Sequence, residues 1–306
     1  MTLESNGLPL VSIHFPTFNH ERFFRSAIES VLKGSYKNIE ICISDDSSTD
    51  GTATLIKEYA KRFPNIIKYQ IQKKNLGMAD NLNYILSMCK GEYICFLSGD
   101  DIYARDKIEK QIGMFLKYSD LKLCGHYTDI IDESSAVIGQ ISNRFRFGKG
   151  FVRWLEKGAL YPAVSVMVRR NAVPACGFDV RIPGLNDQKF WIDCLGSNGE
   201  YRQIGENLAS YRKTENGFTS DPLRGLSEIP LLYQILALTY PDYTAEIRRG
   251  LANNYTYGMA LHLRNSGDLL KSSQLFLKSY MNNPRNYKAI ARLIQNTLIY
   301  LRKNYE

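Results

Sequence analysis

Ile39-Glu40-Ile41-Cys42-Ile43-Ser44-Asp45-Asp46-Ser47-Ser48-Thr49-Asp50-Gly51 decides how this chain is read. Its first five residues have the mostly apolar, β-branched character of a strand, and its acidic, Ser-rich end marks a turn into a helix. A second stretch repeats the pattern: Tyr93-Ile94-Cys95-Phe96-Leu97 runs into Ser98-Gly99-Asp100-Asp101. Ligands of open α/β sheets bind beyond the carboxyl ends of the strands. Two acidic pairs placed there converge on one cleft. Carboxylates repel a phosphate unless a hard cation lies between them, and Mg²⁺ is typically held by one or two carboxylates plus substrate phosphates. The expectation is a metal-dependent site for a nucleoside diphosphate.

Working outward, strand and helix patterns alternate. Val11-Ser12-Ile13-His14-Phe15 reads as a strand, and Phe23, Phe24, Ala27, Ile28, Val31 and Leu32 follow at helical spacing. A helix carrying Leu55, Ile56, Tyr59 and Ala60 starts near Gly51; Ile66–Ile71 is a third strand, with a helix around Asn81–Cys89 behind it. The helix Asp106–Tyr118 follows the fourth strand. This order predicts an α/β fold, a mostly parallel sheet with helices on both faces. Further on, Leu121–Tyr127, Val164–Arg169 and Tyr201–Ile204 read as strands and Asn186–Leu195 as a helix. The polar stretch Asn216–Leu226 suggests a boundary, giving a domain over residues 1–225 and a helical segment over 226–306 with stops at Pro241, Gly267 and Pro284. Residues 267–287 look like one helical hairpin of the tetratricopeptide kind.

At 306 residues, 44% hydrophobic and 23% charged, the composition is that of a globular protein. The six cysteines form no C-x-x-C pair and sit mostly in apolar runs, so they read as reduced core residues of a cytoplasmic protein. Met1–Pro9 has no apolar signal core, and the longest apolar stretch, Ile229–Tyr240, is short of the roughly 20 residues a membrane span needs. The four histidines show no ligand spacing, and His14 reads as a core residue. No P-loop, G-x-G-x-x-G or G-x-S-x-G motif occurs, which disfavours an ATPase, a dinucleotide enzyme and a serine hydrolase.

Single motifs carry two readings each. Pro16-Thr17-Phe18-Asn19 is a strand-to-helix turn in which Asn19 can cap, or a place where backbone groups and an aromatic face meet a nucleobase. Asp45-Asp46 suits a turn, or one carboxylate accepts the N3–H of a uracil ring. Asp50 before Gly51 reads as a helix cap. Asp100-Asp101 is harder to assign to structure alone, because adjacent carboxylates repel without a partner. One of them on a metal and the other on a ribose hydroxyl is the economical use.

In this order the motifs resemble the inverting glycosyltransferases of family 2, which have the GT-A fold. The likeness runs through Val11–Asn19, Ser44–Thr52, Asn75-Leu76-Gly77 with Asn83, and Gly91–Asp101, and continues more weakly to Arg212. The resemblance implies that Asp46 contacts the nucleobase with Pro16 and Phe18 beside it, that Asp101 binds Mn²⁺ or Mg²⁺, and that Asp100 meets the ribose. Thr17, Asn19, Asp45 and Asn83 belong to the same donor-binding set. Ser98 stands where the family's Asp-x-Asp-Asp metal motif begins with aspartate, and Asn186 stands for the glutamate of a Glu-Asp pair. Asp187, the second of that pair, is the candidate catalytic base; its place near a helix N-terminus is expected to lower its pKa and keep it ionised. Tyr211-Arg212 resembles a segment that closes over the donor diphosphate in relatives.

The implied activity is hexose transfer with inversion from a UDP-sugar to a hydroxyl of a glycan acceptor, such as a polyprenyl-diphosphate-linked oligosaccharide in bacterial surface polysaccharide synthesis. Two alternatives stand beside it: a nucleotide-sugar or glycan-binding module weakened at Ser98 and Asn186, and a sugar nucleotidyltransferase. The net charge of +8 asks for an anionic partner. Arg144, Arg146, Lys149, Arg153 and Lys157 form one basic cluster, and the region from Arg248 to Lys303 holds another. They read either as solvated helix faces or as contacts with an anionic membrane surface, at the inner face of the cell membrane. No nucleic-acid-binding module accompanies the charge.

Overall fold

Strand β1 (Val11–Thr17) forms the axis of the sheet because its residues are buried on both faces, with Val11, Ile13 and Phe15 on one side and Ser12 and His14 on the other. It pairs in parallel with β2 (Ile39–Asp45) and with β4 (Tyr93–Phe96), while β3 (Ile67–Ile71) extends the parallel part beyond β2. The helices α1 (Glu21–Leu32), α2 (Thr52–Arg62), α3 (Met78–Met88) and α4 (Lys107–Lys117) connect these strands or follow them. Each buries an apolar stripe, as with Phe24, Ala27, Ile28 and Val31 of α1. The buried Glu40 of β2 is paired on both oxygens: Ser12 donates to Oε1 at 2.6 Å and Lys68 Nζ to Oε2 at 2.5 Å.

The computed structural model describes residues 7–142, 147–158, 161–215, 217 and 221–305. Met1–Asn6, Arg144, Arg146 and part of the stretch Asn216–Leu226 lie outside them, as do the side chains of Lys149 and Lys303. Contacts divide the chain into two units: Met1–Phe151 with Leu160–Ser220, and Val152–Ala159 with Asp221–Glu306.

The α/β architecture holds in the first unit, and its sheet is mixed. The order is β3-β2-β1-β4-β9-β6-β10-β5. From β4 onward the directions are mixed: β9 (Met167–Arg169) is antiparallel to β4 and to β6 (Leu121–Ile131), and β10 (Glu200–Arg212) runs parallel to β6. Two-residue β5 (Ile102–Tyr103) and β8 (Phe147–Lys149) lie antiparallel to β10, and β7 (Val137–Ile141) pairs with β6. Register shifts between Ile204 and Ala209 bend β10, so its end, Arg212, reaches the loop after β4.

The second unit is helical: α5 (Phe151–Lys157), α7 (Pro222–Thr239), α8 (Thr244–Leu251), α9 (Tyr257–Asn265), α10 (Leu269–Asn282) and α11 (Tyr287–Tyr305). The breaks fall at Pro241, Gly267 and Pro284. Pro230 sits inside α7 without ending it. Tyr233 of α7 donates its hydroxyl to Leu155 O of α5 at 2.7 Å, and Phe276 of α10 is enclosed with Ala260 of α9 and Ala289 of α11. Among the described residues no helix is long and apolar enough to cross a membrane.

Candidate active site

The strand order places the topological switch between β1, which continues toward β2, and its other neighbour β4. A crevice is expected beyond the carboxyl ends of these strands. Three loops border it, and they are tied to each other.

The loop after β1 and the loop after β2 are joined by reciprocal bonds between side chain and backbone. Asn19 N donates to Ser48 Oγ at 2.8 Å, and Thr49 N returns to Asn19 Oδ1 at 2.9 Å. Glu21 N donates to Asp50 Oδ2 at 3.0 Å, and Gly51 N to Glu21 Oε2 at 2.8 Å. Asp50 Oδ1 also takes the Thr52 amide at 3.0 Å, so one carboxylate serves the first turns of α1 and α2. Asn19 does not cap; it adopts φ 54 and bridges the loops. Phe18 next to it is 45% exposed.

Both members of the first acidic pair are buried. Asp45 Oδ1 accepts Thr17 Oγ1 at 3.0 Å, and Oδ2 accepts the Ser48 amide at 3.0 Å, which holds the loop against β1. Asp46 Oδ1 accepts the Leu76 amide at 2.7 Å and Oδ2 the Gly77 amide at 3.1 Å. Asn75 completes the wrap with a bond from Nδ2 to Asp46 O at 3.1 Å. Burial pushes the Asp46 carboxyl above the usual range, and the two amides oppose that. A carboxylate has about four lone-pair sites, so Asp46 keeps acceptor capacity in a fixed orientation.

The second pair is arranged differently. Asp101 is buried, and its Oδ1 accepts the Arg212 backbone amide at 2.9 Å. No hydrogen bond reaches its Oδ2 or the Asp100 carboxylate among the described residues. Burial, and then the neighbouring Asp100, push the Asp101 carboxyl well above the ordinary range. The Arg212 guanidinium bridges Asp100 O (Nε, 2.9 Å), Asp132 O (2.6 Å) and Ser135 Oγ (3.0 Å), and lies 4.5 Å from the Phe23 ring centroid. His20 packs on this loop: a Cβ on Gly99 would come within 2.4 Å of His20 Nδ1.

Open carboxylate oxygens on a buried Asp101 and a half-buried Asp100 are what a hard cation neutralises, so these residues fit Mg²⁺ or Mn²⁺. Among the described residues no group of three or more His, Cys, Asp or Glu side chains gathers to hold a metal. A cation here therefore needs diphosphate oxygens and water to complete its shell, as Mg²⁺ commonly does.

Asp187 lies in the first turn of α6 (Asn186–Leu195). Phe190 and Trp191, one turn on, pack edge-on against Phe96 at the end of β4, with ring centroids 6.0 and 4.7 Å away. Phe178 stacks on Phe190 at 4.1 Å. Asn83 in turn holds Phe178 by its backbone, donating Nδ2 to the carbonyl at 2.9 Å and accepting the amide at 2.7 Å. Asn83 thus uses one bond of each of its polar atoms to position the loop before α6. Buried Lys189 pairs with Asp193 at 2.5 Å and fixes the same helix.

The pKa of Asp187 departs from expectation. Asp187 is half-buried, and desolvation pushes its carboxyl up to about 6 despite the Gln188 amide at 2.6 Å. Desolvation outweighs the helix N-terminus. A carboxylate titrating near 6 is still mostly ionised at neutral pH and is a stronger base than an exposed one.

Residues 12–176 match the family model for Glycosyl transferase family 2, more than half of the chain. The chain belongs to this family. It is 36% identical over 220 residues to the Escherichia coli UDP-Glc:alpha-D-GlcNAc-diphosphoundecaprenol beta-1,3-glucosyltransferase WfgD, covering 71% of this chain and 82% of WfgD. Among solved structures, S. aureus TarS 1-349 in complex with UDP-GlcNAc aligns with a TM-score of 0.61 at 14% identity, covering 94% of this chain and 89% of TarS. The mannosyltransferase PcManGT of Pyrobaculum calidifontis in complex with GDP-Man and Mn2+ aligns with a TM-score of 0.63 at 14% identity, covering 98% and 89%. These likenesses establish the GT-A fold and glycosyltransferase activity as the family's chemistry.

For this glycosyltransferase, several residues around the crevice have no role in the sequence reading: Asn75, His20, Phe178, Asp132 and Ser135. Asn75-Leu76-Gly77 was legible as a motif, and its positive-φ Gly77 (φ 85) marks where the chain turns around Asp46. Phe178 and Ser135 carry no local signal, since their positions depend on contacts about 80 to 95 residues away in sequence.

Proposed function

We propose that this glycosyltransferase moves a hexose from a UDP-sugar to a hydroxyl of a polyprenyl-diphosphate-linked glycan, with inversion, at the cytoplasmic face of a membrane. The relative WfgD, whose name gives UDP-Glc as donor and a diphosphoundecaprenol-linked acceptor, supports both substrate classes. The observation that carries the reading is the pair of open carboxylates after β4 together with the packing of Asp187's helix on Phe96 of the same strand.

In this reading Asp46 accepts the uracil N3–H, held in orientation by the Leu76 and Gly77 amides. Phe18 and Pro16 flank the base, Asp45 and Thr17 hold the floor, and Asp100 meets the ribose. Asp101 would hold Mn²⁺ or Mg²⁺, which when bound withdraws charge from the diphosphate leaving group. Asp187 takes the proton of the acceptor hydroxyl as that oxygen attacks the anomeric carbon from the side opposite the nucleotide. One base and a single displacement invert the configuration. Arg212, lying against Asp100 and Phe23, adds positive charge where the donor phosphates sit.

The test is to incubate the protein with UDP-hexoses and Mn²⁺ and to follow UDP release, with and without a lipid-diphosphate acceptor. Release from one donor, stimulated by acceptor, is the expected outcome. Measurable UDP binding with no release from any donor would leave a binding module instead.

A further inference from the structure

The last two helices are charged on one sign only. From Leu269 to Tyr305 the sequence holds seven Lys and Arg and no Asp or Glu. Within the second unit, α10 and α11 turn Ser272, Phe276 and Ser279, and Ala289 and Asn296, toward buried surroundings. Asn296 Nδ2 donates to Ser272 Oγ at 3.0 Å across that seam.

The opposite faces are not polar. Leu270, Leu277 and Met281 recur along α10 at helical spacing, and Ile294, Leu298 and Leu301 do so along α11; these six are 45–72% exposed. Beside these stripes Lys278 and Lys288 are exposed and form no ion pair among the described residues. An apolar stripe flanked by unpaired cations is the pattern of a helix that lies in a membrane interface.

We infer that the exposed faces of α10 and α11 dock on an anionic lipid bilayer, the apolar stripes entering the headgroup boundary and the cations meeting lipid phosphates. A second copy of the chain is a poorer occupant, because it would set one cationic face against another. The inference deepens the proposed action on a lipid-linked acceptor and rests on that reading for its purpose, but the binding itself requires no substrate.

Co-sedimentation of the full chain with phosphatidylcholine vesicles, with and without about one-third phosphatidylglycerol, tests it. Binding to the anionic vesicles should exceed binding to neutral ones about tenfold and fall away at ~1 M salt, where screening is short-ranged. Leu277→Glu with Leu298→Glu should remove binding, and Lys278→Glu with Lys288→Glu should weaken it about tenfold, each with an unchanged circular dichroism melt. Equal partition onto both vesicles, or binding unaffected in both variants, overturns the inference. So does a dimer, seen by sedimentation, that the leucine variant dissociates while no vesicle binding occurs. Transfer to a short-chain, soluble acceptor separates the two claims: its loss in wild-type protein with vesicle binding intact overturns only the proposed reaction. Lost vesicle binding with soluble transfer intact overturns only the docking surface.

Discussion

The backbone amide of Arg212 donates to Asp101 Oδ1 at 2.9 Å across 111 residues of sequence. Together with the bond from Arg212 Nε to Asp100 O, it holds the end of β10 on the acidic loop after β4 and leaves the other Asp101 oxygen open. The proposed function uses both halves of that relationship: a buried acid that is held still and an oxygen available to a cation.

Asp187 should set the acidic limb of the pH profile. Its pKa is raised to about 6, so the base is lost as pH falls through 6 and fully present above it. Transfer rates measured from pH 5 to 9 should fall below about 6. Asp187→Asn should lower kcat by about 10²–10⁴-fold while UDP binding by calorimetry persists. Full activity in that variant removes Asp187 from the reaction.

Asp101→Asn separates stability from metal response. The folded-state pKa of Asp101 lies well above its unfolded value, so this group's effect on stability improves as pH falls through the raised pKa and is unfavourable above it. The asparagine can still accept the Arg212 amide. The metal-free melting temperature at pH 7.5 should therefore stay level or rise. Mn²⁺ with UDP should raise the melting temperature of the wild type by mass action and leave the variant unmoved. An equal metal response in both proteins places the cation elsewhere.

Asn83 and Gly177 act on α6 at a distance. Asn83→Ala deletes both bonds to Phe178 and leaves a partly buried amide and carbonyl unpaired, costing about 2–3 kcal/mol in a denaturant melt. Gly177 has φ +64, and a Cβ there would lie 2.2 Å from Asn83 Oδ1, so Gly177→Ala should destabilise by the same route. Both should lower kcat, because the Phe178–Phe190 stack that seats the helix loosens. Unchanged stability in Asn83→Ala is the outcome that defeats this.

Arg212→Lys tests the planar side chain rather than the charge. A lysine cannot span Asp100 O, Asp132 O and Ser135 Oγ while lying flat on Phe23. Donor KM should rise about tenfold, with a smaller change in kcat. The reverse split, a fallen kcat at constant KM, argues that Arg212 acts in the chemical step alone.

The parallel strands were legible because residues buried on both faces write continuous apolar runs, as in Ile39–Ile43 and Tyr93–Phe96, and α6 could be read over Asn186–Leu195 from its own periodicity. The strands β6, β9 and β10 were legible at Leu121–Tyr127, Val164–Arg169 and Tyr201–Ile204, but their directions were not, and the short β5 exists only through its pairing with Ala209 and Ser210. Electrostatics was read least well. A helix N-terminus is visible in sequence and predicts a lowered Asp187, but the burial that reverses the sign is a property of tertiary packing. Asn83 shows the same limit, since its partner at Phe178 is 95 residues away.

The cross-links between the loops after β1 and β2 have a thermodynamic consequence. Asn19 with Ser48 and Thr49, and Glu21 with Asp50 and Gly51, exchange bonds in both directions, so neither loop can swing without its neighbour. The ordering entropy of that rim is spent when the polypeptide folds rather than when a ligand arrives. Discrimination at this edge then comes from matching a ready-made contour, and little of the binding energy is diverted into shaping it.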